Sequence, residues 1–412
     1  MFSVKLGLKN LSRQKRRNMI TILVIAFAFF AYLFMESMMN GMEEMSFDNI
    51  KHFETGNIQV AHPEYWEDKD NLPLEHLIEW DSELEKELMQ MEGVIGISPE
   101  LRFSANLNNG IDEMAVIGLG IIPENYNQVF ETRDYFIEGS MSALQESKAV
   151  IGKQMADLLD LEINDYVILL FRTKEDTFNT IDVEIGGIVK TLNPVINNHI
   201  VLVPLELAQD RLNVEDSITM LSLKTFSGEE ETVIKSLEGY FRQENLPLQA
   251  YTWQESAENV IALAVAKKSG IGAVLSVVLL IGMVGIINNI ILSALERTSE
   301  IGMMKAMGMK EWEIVFVFMV EATGIGVLGG FIGCLLGLVG VNWLVRNGIG
   351  LGFWGTDMSK YGIPILDRIY GAWNGSTFYY IFFLGIFIAI LSSIIPAYWA
   401  SHKDPVEAIY HR

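Results

Sequence analysis

The stretch SGIGAVLSVVLLIGMVGIINNIILSAL, Ser269 to Leu295, carries no charged side chain and runs straight into Glu296-Arg297-Thr298-Ser299-Glu300-Ile301-Gly302-Met303-Met304-Lys305-Ala306-Met307-Gly308. Crossing a bilayer takes about 20 apolar residues. An apolar run that leaves through a compact charged segment and re-enters another apolar run reads as a membrane hairpin with a structured elbow. In place of a loose polar loop, a short amphipathic helix held against the bilayer is expected. Glu300, Met303, Met304 and Met307 give it a mixed face, and Gly308 is a helix stop.

Working outward, four spans are expected, at Met19–Met38, Ser269–Leu292, Ile314–Leu344 and Thr377–Trp399. The third is longer than a crossing needs, so it should tilt, kink or project. Tyr370, Trp373, Tyr379 and Tyr380 before the fourth span, with Tyr398 and Trp399 after it, fit interfacial aromatic belts. Lys5, Lys9, Arg13, Lys15, Arg16 and Arg17 precede the first span with no acid among them, which places the N-terminus in the cytoplasm. A cleaved signal peptide fits less well. The run is too long, and Glu36-Ser37-Met38-Met39-Asn40 offers no small-residue cleavage site.

Charge supports two phases. The chain of 412 residues is half apolar yet has a formal net charge of −22. Residues 41–266 hold 42 acidic and 14 basic residues, a balance of −28, which leaves +6 for the rest. An acidic soluble block therefore coexists with basic pieces flanking apolar spans. Such acidity excludes nucleic acid as a partner, since phosphate neutralisation needs stripes of Lys and Arg. The single cysteine, Cys334, lies in an apolar run, so no intrachain disulfide holds the block together and it must fold on its own core.

The expected fold class is an α-helical membrane protein with four transmembrane helices and a large α+β extracytoplasmic domain between helices 1 and 2. Its divisions are an interfacial basic helix at 1–18, spans at 19–40, 267–295, 313–345 and 377–400, the domain at 41–266, the elbow at 296–312, an outer loop at 346–376 and a cytoplasmic tail at 401–412. Within the domain, Leu74, Leu77, Ile78, Leu84 and Leu88 predict an amphipathic helix up to Gly93. Strands are expected at Glu113–Leu119, Tyr166–Phe171, Ile181–Val189 and Ile200–Val203, and Ala149–Leu161 reads as a strand entering a short helix. An apolar helix over Ala257–Ala266 should lead into the second span as a continuous stalk.

Inside the spans, Gly326, Gly329, Gly330, Gly333, Gly337 and Gly340 make a face nearly free of side chains, fit for packing within the subunit or against another. Glu321 is placed to snorkel or to pair with Arg297, with a transport role as the alternative. Asn288 and Asn289 read as interhelical hydrogen-bonding residues. Met35, Met38, Met39 and Met42 cluster where the first span ends and are candidate lipid contacts, because thioether side chains make an adaptable apolar surface. Searches for catalysis give nothing. There is no Gly-x-x-x-x-Gly-Lys-Ser/Thr loop, no Gly-x-Ser-x-Gly elbow and no metal-ligand spacing among the six histidines. No catalytic or metal residue is nominated, and no cofactor is expected on this chain.

Glu296-Arg297-Thr298-x-Glu300-Ile301-Gly302-x-x-Lys305-Ala306-x-Gly308 after the second span resembles a motif of the FtsX-like permease family of ABC transporters. So does Pro396-Ala397-x-x-Ala400-x-x-x-Asp404-Pro405-Val406-Glu407-Ala408-Ile409 after the fourth. Leu8-Lys9-Asn10-Leu11, Val150-Ile151-Gly152-Lys153-x-Met155-Ala156-x-x-Leu159 and Val203-Pro204-Leu205-x-x-Ala208-Gln209 are similar to further parts of that family.

The resemblance implies a four-span subunit of a bacterial inner membrane with both termini cytoplasmic. It would pair with a second permease copy or paralogue and with a separate P-loop ATPase that uses ATP and Mg. The elbow would be the coupling helix, with Glu296, Arg297, Glu300, Ile301, Gly302, Met304, Lys305, Ala306 and Gly308 as ATPase-coupling residues; changing Glu300 or Met304 should uncouple the ATPase without unfolding the subunit. Size and topology are most similar to lipoprotein-releasing permeases, which implies a lipoprotein substrate and a periplasmic chaperone as further partners. Here, however, Arg172–Asp182 is a short polar hairpin tip without the proline-rich chaperone hook, which leaves chaperone recruitment open. The alternatives are an efflux or cell-wall-hydrolase-regulating mechanotransmission permease and a membrane-anchored sensor.

Overall fold

The four apolar runs each form one long helix in a computed structural model that describes residues 2–11, 13–350 and 368–402. We number the helices of this part α1 (Phe2–Leu11), α2 (Lys15–Ile50), α3 (Glu258–Glu296), α4 (Thr298–Ala306), α5 (Glu311–Asn347) and α6 (Gly375–Ser401). The spans α2, α3, α5 and α6 are each long and apolar enough to cross a bilayer. Each outruns the crossing expected for it, because a helix does not stop where hydropathy stops; polar residues continue the backbone hydrogen bonds at both ends. The stretch after Ala257 and the second span form one element, α3. The Asp404–Ile409 half of the second motif lies outside the described residues.

The described residues divide into two compact units, one of residues 2–11, 13–44, 263–350 and 368–402 and the other of residues 45–262. In the helical unit the glycine face of α5 packs within the subunit. A Cβ added at Gly333 would lie 2.5 Å from Phe29 Cβ, and one at Gly329 2.8 Å from Ile25 Cγ2, so α2 approaches to backbone distance there. Gly326 meets Ala389 of α6 in the same way. Phe29, Ile25, Leu33, Phe318 and Ala389 are buried together in this core. The other faces carry large exposed apolar side chains, among them Val284, Val339, Phe383 and Ile395. Tyr370, Trp373, Tyr379, Tyr380, Tyr398 and Trp399 are exposed too, as belt residues need to be.

The second unit is built on a ten-stranded mixed sheet. Its strands are β1 (Ile58–Ala61), β2 (Val94–Asn108), β3 (Glu113–Ile121), β4 (Phe136–Gly139), β5 (Ala149–Gly152), β6 (Tyr166–Arg172), β7 (Phe178–Val189), β8 (Ile200–Pro204), β9 (Met220–Thr225) and β10 (Gln249–Thr252). The order is β10-β1-β9-β2-β3-β8-β5-β7-β4, with β6 pairing both β2 and β7. Pairs β3/β8 and β5/β7 are parallel. The four expected strands are present, each extended by one to three residues at one end, and Ala149–Leu161 is a strand followed by the helix Lys153–Leu159.

Two expectations are corrected. The helix begins at Ser82, not near Leu74, and ends at Met89. Asp81 Oδ1 accepts from the N–H groups of Glu83 (3.1 Å) and Leu84 (2.8 Å) and so caps it, while Ile78–Glu79 pairs with Ser217–Ile218 as a small ladder. The Arg172–Asp182 tip is shorter than read, because residues from Phe178 onward pair with β6, Phe178 facing Arg172. Strand β2 went unseen in the sequence. It is buried on both faces through Ser98, Pro99 and Glu100, so the alternation that marks a half-buried strand starts only near Phe103. The Glu100 carboxylate is held there by Arg102, which donates from Nη2 at 2.7 Å and Nε at 3.0 Å, and Arg102 Nη2 also donates to the Glu54 carbonyl at 2.9 Å.

Candidate functional site

The elbow is made by one break and one stop. Arg297 leaves helical geometry (φ −113°, ψ 22°), which separates α3 from α4. Thr298 Oγ1 donates back to the carbonyls of Ala294 (3.1 Å) and Leu295 (2.8 Å), quieting two acceptors that the break would leave open. At the far end Gly308 takes φ +91°, a left-handed conformation that glycine adopts without penalty. The N–H of Met309 then reaches the carbonyl of Met304 at 3.1 Å, closing the helix C-terminus. Glu313 Oε2 accepts the N–H of Lys310 at 2.9 Å and α5 starts at once. The expected helical elbow is therefore present, its helix confined to Thr298–Ala306.

Its inner face is apolar. Ile301 and Gly302 are buried, and Met304 is partly buried against the core that holds Ile314 and Phe318. Its outer face carries Met303, Ala306 and Met307, with Gly308 beyond them, all exposed. Of the residues nominated for coupling, Ile301, Gly302 and Met304 thus hold the elbow in place, whereas Glu296, Ala306 and Gly308 lie open. Met303 and Met307, one turn apart, are the large apolar groups that a partner would meet, and neither was nominated for coupling.

Ion pairs fix the elbow on three sides. Arg13 Nη1 lies 2.8 Å from Glu300 Oε1, and Arg17 Nη1 lies 2.9 Å from Glu296 Oε2, to which Gln14 Nε2 also donates. Lys305 Nζ lies 3.6 Å from Glu311 Oε1. These pairs are partly exposed and contribute about 0–1 kcal/mol each, so their work is positioning. The fourth differs. Arg297 Nη1 lies 3.7 Å from Glu321 Oε2 with both side chains buried, and Ser293 donates to Glu321 Oε1 at 3.3 Å. Arg297 is thus a tether reaching from the break into α5. Asn289 links α3 to α2, donating to Thr21 (2.7 Å) and Asn18 (3.2 Å) and accepting from Arg17 Nε (3.1 Å). Asn288 is exposed and takes no part.

By sequence, Arg13 and Arg17 read as a topology signal alone, and Gln14 was not singled out. Their second role was legible only as complementarity: a run of cations without acids, and Glu296 and Glu300 far away in the chain. Helix α1 lies along α5, where Gly7 abuts Val320 and Gly324 abuts Leu11. Between α1 and the elbow is a cleft of about 480 Å³ lined by Leu6, Asn10, Met303, Met304, Met307 and Phe318 among others. The methionines Met35, Met38, Met39 and Met42 fall at i, i+3, i+4 and i+7 on one face of α2, Met35 exposed and the other three partly so.

No search along the sequence suggested a metal site, yet the fold brings His62, Glu64 and His76 of the α+β unit together. That cluster is treated separately below.

The MacB-like periplasmic core domain profile matches residues 19–240, and the FtsX-like permease C-terminal profile matches residues 272–405. The chain is 22% identical to an uncharacterized ABC transporter permease of Methanocaldococcus jannaschii over 82% of both chains. It is 34% identical to the macrolide export ATP-binding/permease protein MacB of Rhodopirellula baltica over 40% of this chain and 22% of that one. It is 26% identical to the uncharacterized ABC transporter permease YknZ of Bacillus subtilis over 39% and 36%. The chain thus spans most of the first relative and well under half of the other two.

Proposed function

The chain belongs to the FtsX-like permease family of ABC transporters with a MacB-like periplasmic core domain, and from this premise we propose that it is a mechanical transmitter of the efflux or mechanotransmission kind. A separate P-loop ATPase, which hydrolyses ATP with Mg as its cofactor, docks on the cytoplasmic elbow, and the acidic α+β domain moves on the other side of the membrane. One observation carries the reading: the elbow is tied by side chains to the turn that joins α1 and α2, to α2 and to α5, while its outer face, Met303 and Met307, is left open. A push on that face is passed to Glu321 through Arg297 and to α2 through Arg17 and Asn289. The relatives named for macrolide export support this reading over lipoprotein release.

The narrower reading, release of lipoproteins from a bacterial inner membrane, draws its support from the methionine face of α2, which suits acyl chains. A photo-cross-linking residue in place of Met38 discriminates. Acylated lipoprotein captured in native membranes would establish release, and capture of phospholipid alone would remove it.

The transmitter itself is tested by thiol accessibility. In a Cys334→Ala background, intact cells are treated with a membrane-impermeant maleimide. Ile111→Cys, at a 90% exposed position of the α+β unit, is expected to be modified, and Met307→Cys only after lysis. The reverse pattern would overturn the orientation and the docking site together. In nanodiscs, Met303→Asp with Met307→Asp is expected to weaken binding of the cognate ATPase by at least about tenfold, the scale for loss of an apolar anchor at an interface.

A further inference from the structure

His62 follows β1, Glu64 lies on the helix Pro63–Glu67, and His76 is reached only after a further 3-10 turn and loop. The fold nevertheless collects one donor atom from each within 4.8 Å of the other two. His76 Nε2 lies 2.9 Å from Glu64 Oε2, and the imidazoles of His62 and His76 stack with centroids 5.0 Å apart. Glu67, Asp68, Asp70 and Glu75 crowd the same segment with Lys69 as the one nearby cation in the sequence, a balance that favours a positive ion.

We propose that His62, Glu64 and His76 form a divalent transition-metal site of the zinc class. Two neutral imidazoles with one carboxylate are a borderline-soft donor set, unlike the all-oxygen sets of calcium and magnesium. Metal–nitrogen bonds of about 2.0–2.1 Å in a tetrahedron set neighbouring donors about 3.3 Å apart. The side chains must therefore close by roughly 1.5 Å at most, which partly exposed rotamers accommodate. The rearrangement has one identifiable cost. His62 Nδ1 accepts the N–H of Glu64 at 3.2 Å, and uptake of an ion requires that bond to yield: either Nδ1 becomes the donor, or it carries the proton while Nε2 binds.

The site would also act beyond itself. The loop ending at His76 supplies Leu72, Pro73 and Leu74 to the wall of a cleft of about 490 Å³, opposite Phe103, Leu170 and Arg172. An ion joining His76 to the Pro63–Glu67 helix fixes that wall. The inference is independent of the transport reading.

The test uses the detergent-purified full chain, stripped of metal and titrated with zinc by calorimetry, with cobalt absorption as a second readout. One zinc per chain is expected, and cobalt should give visible d–d bands of a low-coordinate nitrogen and oxygen site. His76→Ala and His62→Asn should each weaken zinc binding by at least about tenfold, since even outer-shell changes at metal sites cost ten- to hundredfold. His62→Asn keeps a side chain able to cap the helix, so lost binding is not lost folding. His199→Ala, at an exposed histidine outside the cluster, should bind as the parent does. The proposal is overturned by the absence of saturable uptake at millimolar zinc. Uptake undiminished in both cluster variants, or equally diminished in His199→Ala, would overturn it as well.

Discussion

The two units of this chain bury opposite chemistry. In the α+β unit the centre is apolar: Ile97, Leu101, Phe103 and Leu107 of β2 are at most 1% exposed, and of the unit's described acidic side chains only Glu100, paired with Arg102, is buried. In the helical unit many of the largest apolar groups face outward, while Asn289, Ser293, Arg297 and Glu321 are inside. The difference follows from the solvent each must face. Water drives apolar surface inward at roughly 25 cal/mol per Å². Hydrocarbon exerts no such drive, so helices in a bilayer associate through close packing at small residues and through polar contacts. Most charged groups of the first unit decorate its core, the buried Glu100–Arg102 pair apart, whereas in the second the buried polar groups connect its parts.

The largest expected effect sharpens that contrast. Phe103→Ala should destabilise the α+β unit by about 3–5 kcal/mol, the usual cost of emptying a buried aromatic site. Val284→Ala, at a 63% exposed position on α3, should leave thermal stability in lipid nanodiscs nearly unchanged. Equal losses at both positions would mean that the two units are stabilised alike.

Next comes the buried pair. Glu321→Gln leaves the Arg297 guanidinium without its counter-charge and should cost on the order of 3 kcal/mol. Arg297→Gln combined with Glu321→Gln should recover most of that loss while lowering the stimulation of the partner ATPase. Thermal denaturation and ATPase assays on the same samples separate the two. A double variant that is both stable and fully coupled would break the view of this pair as a tether.

The smallest stability effect belongs to the partly exposed pair. Arg13→Glu or Glu300→Arg alone should shift stability by no more than about 1 kcal/mol. Each is nevertheless expected to depress ATPase stimulation, and the charge swap carrying both changes should restore it. Failure of the swap to restore coupling would show that α4 and the turn between α1 and α2 do not act through this contact.

How much of this was readable in advance differs by region. The spans and the elbow were legible because hydrophobicity, charge and helix stops are local properties of consecutive residues. Strands β6 to β8 were legible for the same reason, as short runs rich in β-branched and aromatic residues. Strand β2 was not, since burial on both faces around Glu100 erases the period. The premature start placed at Leu74 shows the same limit from the other side: the leucines kept helical spacing, but Asp81 and the ladder at Ile78 decided where the helix began. At the elbow, Glu300 and Met304 were equally good candidates by sequence. Only packing turned Met304 inward and gave Glu300 to Arg13.

By itself the sequence determined that the chain has membrane-spanning helices with an acidic domain between the first two, and where the bend between the middle helices falls. Those features depend on transfer free energy and on backbone stops, which add up residue by residue. The tertiary structure decided that Arg13 meets Glu300 and that His62 meets Glu64 and His76, and of the two courses open to Glu321 by sequence it realised the pair with Arg297. Such meetings depend on how the chain folds back in space, and no run of consecutive residues records them.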